Sequence, residues 1–192
     1  MTRVALIIAP GLLMIPLSLH ANPVSYRIDT QKTSIALLWH AFGGVSQARL
    51  EKVTGDITLD DGNERDDHIN VTIPVSTLKA SNGLLTYQMK SRFFFDADRY
   101  PNIAFTSSRV VAMGKGRFRV FGTLAVKDVT REVILNASLE ETQGEVWGRQ
   151  QISLNASTTI SRSAFNMESF AALVDDAVLI NIEIQAQPRL PV

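Results

Sequence analysis

No cysteine occurs among the 192 residues. That absence excludes disulfides, thiolate catalysis and thiolate metal sites, so the fold is held by packing alone. Net charge is also missing, with 19 basic and 19 acidic residues in balance. A chain without a basic surplus has no electrostatic footprint for nucleic acid or for an anionic lipid surface. Histidine is scarce, at three in the whole chain. His20, His40 and His68 stand far apart, and a structural zinc set takes four ligands at recognisable spacing. No Gly-x-Ser-x-Gly elbow is present, and no nucleophile is marked by its surroundings. Long apolar runs are lacking after the first twenty residues.

The N-terminus carries a distinct segment. Met1-Thr2-Arg3 is a basic start, Val4 to Leu19 has no charge, and the run closes at His20-Ala21 before Asn22-Pro23. This order reads as a secretory signal peptide over residues 1–21, cut after Ala21. The apolar run is shorter than the ~20 residues a spanning helix needs, and Pro10, Gly11 and Pro16 interrupt it. The expected location is the periplasm. Residues 22–192 then form the mature chain, 192 − 21 = 171 residues with a charge of 18 − 19 = −1. That length suits one domain.

The mature chain is written in period two, the pattern of half-buried strands. Ile69, Val71, Ile73 and Val75 alternate with polar neighbours, and Pro74 points to an edge or a bulge. Val133, Leu135, Ala137 and Leu139 form a second set. Ile152, Leu154, Ala156 and Thr158 form a third, and Val178, Ile180, Ile182 and Ile184 a fourth. Further strands are expected at 24–29, 34–41, 53–59, 103–112 and 117–126. Asp60-Asp61-Gly62-Asn63 and Gly114-Lys115-Gly116 supply hairpin turns. The acidic stretch 60–67 lacks the ligand spacing of an EF-hand and reads as a solvated tip.

Only Leu84 to Asp98 breaks the strand pattern. Leu84, Leu85, Met89 and Phe93 approximate a helical face, so one short helix is expected there. Leu84, Leu85, Met89 and Phe93-Phe94-Phe95 put six large apolar side chains within twelve residues. Such a helix either plugs a barrel end or lids an apolar cavity. Leu85, Met89, Phe93 and Phe94 are expected to face the barrel, Phe94 being the most buried. The fold class is all-β: an antiparallel, eight-stranded barrel with one short helix, a β-sandwich being the alternative. An eight-stranded barrel is either filled by side chains or holds one small ligand.

Several motifs, in order, then resemble one family. Phe94 through Ser108 contains a Phe, a short acidic helix end, Tyr100-Pro101, an apolar residue and Phe105 before the serines. Gly122 to Val133 resembles a Gly-x-Leu hairpin with Val129-Thr130-Arg131. Tyr26-Arg27-Ile28-Asp29 and His40 through Gly55 match opening strands, and Ile160 to Met167 matches an Arg-x-x-Phe strand end. Together these are similar to the YceI-like, polyisoprenoid-binding family across the mature chain. The resemblance implies a lipocalin-like barrel with an apolar tunnel for a polyprenyl chain and no catalytic residues; with the histidines scattered and cysteine absent no metal is expected, nor any cofactor beyond the bound isoprenoid lipid. Some family members occur beside membrane cytochromes or quinone metabolism, so the resemblance adds a quinone-like ligand and a membrane cytochrome to the expected partners. Two positions depart from the pattern. Ser81 to Met89 replaces a charged, His-bearing helix, and Asn166 stands where glycine is usual.

The expected tunnel residues are Leu38, His40, Leu85, Met89, Phe94, Phe105, Leu135, Ala137, Leu154, Ala156, Ile180 and Ile182. Family parity puts Ala36, Leu38 and His40 inward, which leaves Ile35, Leu37 and Trp39 outward. A second reading follows from that apolar outer face: an interaction module docking on a membrane redox complex. A third, a lipid-modifying hydrolase, would need an activated Ser or His.

Overall fold

The computed structural model describes residues 23–60, 67–140 and 151–189. Residues 1–21, where a signal peptide is expected, and the turn residues 61–63 lie outside the described residues. Among the described residues eleven strands and one α-helix follow in chain order: β1 (Val24–Ile28), β2 (Ser34–Ala41), β3 (Gly44–Leu50), β4 (Thr54–Leu59), β5 (His68–Pro74), β6 (Lys79–Ala80), α1 (Gly83–Lys90), β7 (Asn102–Gly114), β8 (Arg117–Val126), β9 (Val129–Glu140), β10 (Ile152–Ser161) and β11 (Val174–Pro188).

Eight strands close into an antiparallel barrel in the order β1-β4-β5-β7-β8-β9-β10-β11, with β11 returning to β1. Closure removes the sandwich alternative. The joint is made by the length of β11. Its C-terminal part pairs with β1 through Ala186↔Ile28, while its earlier part pairs with β2 through Ile182↔Ile35 and Ile180↔Leu37. The wall therefore forks, and β2, β3 and β6 continue it toward one end. β3 carries no clear alternation in the sequence because only Ala48 and Leu50 are buried along it.

Local chemistry sets the boundaries. The β7–β8 turn runs through Gly114, Lys115 and Gly116, all with positive φ, as its glycines foretell. Pro74 is neither at an edge nor in a bulge. β5 is flanked by β4 and β7, and Pro74 ends it two residues past the last β4 partner, Thr72, where no amide is needed on that side. Gly122 lets Phe105 lie flat across β8, since a Cβ there would stand 2.5 Å from the Thr106 carbonyl and 2.6 Å from the Phe105 ring.

The helix is shorter than the expected 84–98. It starts at Gly83 because Asn82 caps it, its side chain accepting the Leu85 amide at 2.8 Å. It ends at Lys90, and Ser91 to Pro101 follows as tight turns, with Asp96 in the left-handed region. Eight residues form no stable helix alone. This one is tied down where Thr86 Oγ1 accepts the Ala80 amide and Lys90 Nζ donates to the Ser76 carbonyl.

Candidate functional site

The inner faces of the strands do not meet. They enclose an apolar cavity of about 460 Å³ that runs from Leu59 and Ile184 near one end to Phe42, Leu84 and Phe170 at the other. Val174 and Ile184, both on its wall, are ten residues apart on β11. At ~3.3 Å per residue the lined stretch measures roughly 30 Å along the strand, and less along the barrel axis because the strands tilt. Protein interiors leave few voids larger than a water molecule, so a cavity of this size is a departure from ordinary packing. It is also why several inward side chains, among them Leu135, Ala137, Leu154, Ala156 and Ile182, are only half-buried. They border the bore rather than a filled core.

The polar groups on the wall are few and unevenly placed. Ser46, Ser81, Asn82, Gln88, Thr158 and Arg162 all lie toward the end that carries α1. The opposite half is lined by residues such as Ile57, Leu59, Ile69 and Ile184. A linear amphiphile therefore finds apolar wall for its tail at depth and hydrogen-bonding groups for its head near the helix.

Among the described residues Arg162 is the one charged residue on the wall, and it is buried at 6% exposure. Its guanidinium is held by backbone carbonyls. Nε donates to Asp175 O at 2.9 Å, Nη1 to Ser169 O at 2.9 Å and to Met167 O, and Nη2 to Val174 O at 2.8 Å. These bonds fold the connection between β10 and β11 over the barrel end, which brings Phe170 against Phe94 with ring centroids 6.1 Å apart. Asn166 takes the left-handed conformation in that connection, with φ of 57°. The position usual for glycine thus keeps the conformation that glycine favours, and asparagine tolerates it.

The carboxyl of Asp176 is held below the ordinary aspartate range because the Ser161 hydroxyl, the Ser163 amide and the Ser163 hydroxyl bond its charged form, with Arg162 adding attraction. It lies on the outer side of the barrel end. Among the described residues no group of three or more His, Asp or Glu side chains could hold a metal ion.

Ten of the twelve expected tunnel residues line the cavity: Leu85, Met89, Phe94, Phe105, Leu135, Ala137, Leu154, Ala156, Ile180 and Ile182. Leu38 and His40 do not. β2 pairs with β11 so that Ile35, Leu37 and Trp39 stand opposite Ile182, Ile180 and Val178. Directly opposed residues share a face, so the inward face of β11 fixes the inward face of β2. Ile35, Leu37, Trp39 and Ala41 line the bore, Leu38 is half-buried on the outer face, and His40 is exposed. The apolar outer face expected around Trp39 is in fact the inner wall. Near α1 a second correction applies. Phe95 is the buried aromatic at 8%, Phe94 is half-buried on the wall, and Phe93 is 51% exposed.

The sequence reading also missed much of the wall, including Val110, Phe118, Val120 and Leu124 on β7 and β8. Alternation within the stretch 117–126 carried that information.

Three comparisons with known proteins agree on the fold. The family model described as the YceI-like domain matches residues 26–186. A UPF0312 protein of Photorhabdus laumondii is 31% identical over 115 residues, which is 60% of this chain and 59% of that protein. The crystal structure of Burkholderia cenocepacia BcnA superposes with a TM-score of 0.75 at 20% identity, over 83% of this chain and 99% of that one. A polyisoprenoid binding domain from Saccharophagus degradans, implicated in plant cell wall breakdown, superposes with a TM-score of 0.66 at 11% identity, over 86% and 99%.

Proposed function

We propose, from the premise that this protein belongs to the YceI-like domain family, that it is a non-catalytic carrier holding the tail of an isoprenoid-like lipid in its bore. The single observation that carries the reading is the apolar cavity of about 460 Å³, long, with its polar groups gathered at one end. The structural neighbour described as a polyisoprenoid binding domain supports the same class of ligand.

The energetics suit a long chain. Burying a CH₂ group contributes ~0.8 kcal/mol, so about ten such groups contribute roughly 8 kcal/mol before costs. Ordering a flexible chain and restricting its motion oppose this. A longer tail is needed for micromolar affinity, which corresponds to about −8.2 kcal/mol. The apolar wall discriminates poorly among tails, so selectivity falls to the polar groups near α1. The proposed location is the periplasm, from the signal peptide read at residues 1–21.

Mass spectrometry of an organic extract of the purified full-length secretion product tests this. The expected result is a polyprenyl compound at a fixed ratio to protein. A protein that emerges lipid-free and takes up none of several polyprenyl compounds would overturn the reading.

A further inference from the structure

A lipid has to enter the bore, and the residues around the helix end carry an inference that rests on the carrier reading. Ten large apolar side chains stand exposed among the described residues, and seven lie at this end: Phe42, Val45, Leu84, Tyr87, Phe93, Phe170 and Leu173. They come from four separate stretches: the β2–β3 tip, α1, the turns after it, and the β10–β11 connection. Hydrogen bonds to backbone carbonyls gather the stretches. The Phe42 amide donates to Leu173 O at 2.8 Å, and Ser169 Oγ donates to Phe93 O at 2.9 Å. Phe42, Leu84 and Phe170 also belong to the cavity wall, so rim and bore form one continuous apolar surface.

Two rim aromatics occupy a conformation that bulky residues rarely adopt. Phe42 has φ of 52° and Phe170 has φ of 60°. Glycine would fit either position without strain. A phenylalanine held there, 73% exposed in the case of Phe42, is costly to the folded state and adds little to the core. The opposite end of the barrel shows Met113 alone as an exposed large apolar residue among the described residues.

We propose that this rim is the face that seats on a lipid bilayer, its side chains entering the boundary between head groups and acyl chains. An isoprenoid tail then passes from membrane to bore without crossing water. Continuity with the bore argues for a bilayer over a protein partner, because the cargo's own source is apolar. The shape argues the same way, since the rim consists of single side chains on separate tips rather than a flat patch. Lys90 and Arg92 flank it, with the Arg92 guanidinium 5.4 Å from the Phe93 ring centre, where it can follow the ring down and keep its charge at phosphate level. Exposed Glu168 on the β10–β11 connection and exposed Asp175 and Asp176 at the start of β11 are the acidic neighbours at this end, so charge is near balance and apolar insertion is the main attraction.

Val45, Phe93 and Leu173 belong to the rim but not to the wall, so they separate docking from holding. Vesicles of phosphatidylcholine with phosphatidylglycerol, carrying a fluorescent prenol, provide the probe. The wild type is expected to partition onto the vesicles and extract the prenol. With Val45→Glu, Phe93→Glu and Leu173→Glu combined, partitioning and extraction rate should fall by about tenfold or more. Uptake of the same prenol from detergent should stay unchanged, which also reports that the variant is folded. Wild-type extraction rates in the triple variant would overturn the rim proposal and leave the carrier reading standing. So would a wild type that loads from detergent but ignores protein-free vesicles and binds only native membranes, because its partner would then be a protein. A wild type that partitions onto vesicles but takes prenol from neither source would overturn the carrier reading itself, and the loading role with it.

Discussion

Ala137 on β9 and Ala156 on β10 stand directly opposite one another in the ladder, and both face the bore. Their other ladder partners are large: Phe118 opposes Ala137 and Ile182 opposes Ala156. Two methyl groups side by side leave the wall recessed there. Replacing either alanine with phenylalanine should fill the bore from within and leave the outer surface unchanged. The expected outcome in native mass spectrometry is a folded protein that has lost the lipid carried by the wild type.

Trp39 and His40 are adjacent in sequence and lie on opposite sides of β2. Trp39→Ala should enlarge the bore and weaken retention of a bound prenol, and it should cost about 3–5 kcal/mol in denaturant melts because the residue is buried. His40→Ala should change neither, because surface substitutions usually stay within about 0.5 kcal/mol. Prenol fluorescence titration of the two variants checks the pair.

The two aromatics after the helix should also differ. Phe95 is a core residue at 8% exposure, and Phe95→Ala is expected to cost about 3–5 kcal/mol. Phe94 is half-buried against Phe170, so Phe94→Ala should cost less and should loosen the contact between the two rim segments. Urea midpoints of both variants give the comparison.

Gly122→Ala is expected to destabilise strongly for a single methyl group. The new Cβ would collide with the backbone carbonyl of Thr106, which cannot move without parting β7 from β8, and with the Phe105 ring on the bore wall. A loss of more than about 2 kcal/mol in unfolding free energy from urea melts, with altered prenol binding, is expected.

Asp176 gives the protein an acid-sensitive closure at the rim. Its carboxylate accepts the Ser163 amide at 2.8 Å and the Ser161 hydroxyl, which ties β11 to the end of β10. Its folded-state value is depressed, so its contribution to stability is fully present above the ordinary aspartate value of 3.8 and is lost as pH falls through the lower folded value. The effect is modest because the group is exposed. Asp176→Asn should flatten that acid limb of a plot of thermal midpoint against pH.

The alternation of Leu135 with Ala137, of Leu154 with Ala156 and of Ile180 with Ile182 was legible in the sequence, and these residues do line the bore. So were the β7–β8 turn and a helix near residue 84. The limits of that helix were not, because Asn82 caps it and the turns after Lys90 bond back onto it through contacts such as the Phe95 amide to Met89 O. β3 was silent because its residues are small or polar outside two positions.

What the sequence by itself determined is the strand-rich, cysteine-free chain, its single break in period two, and the set of apolar residues that form a closed barrel. Alternation states that residues i and i+2 share a face, which is a property of the pleat alone. Which face looks inward is decided elsewhere. In β2 both faces are largely apolar, so Ile35, Leu37 and Trp39 could not be told from Ala36, Leu38 and His40 by composition. Pairing with β11 settled it, because Leu37 must lie beside Ile180 on one surface of the wall. The rim as a whole was likewise not legible in the chain, although its α1 stretch was. Phe42 and Phe170 are far in sequence from the Leu84–Phe93 stretch, and only closure of the barrel and the carbonyl bonds of Arg162 bring the three segments to one end.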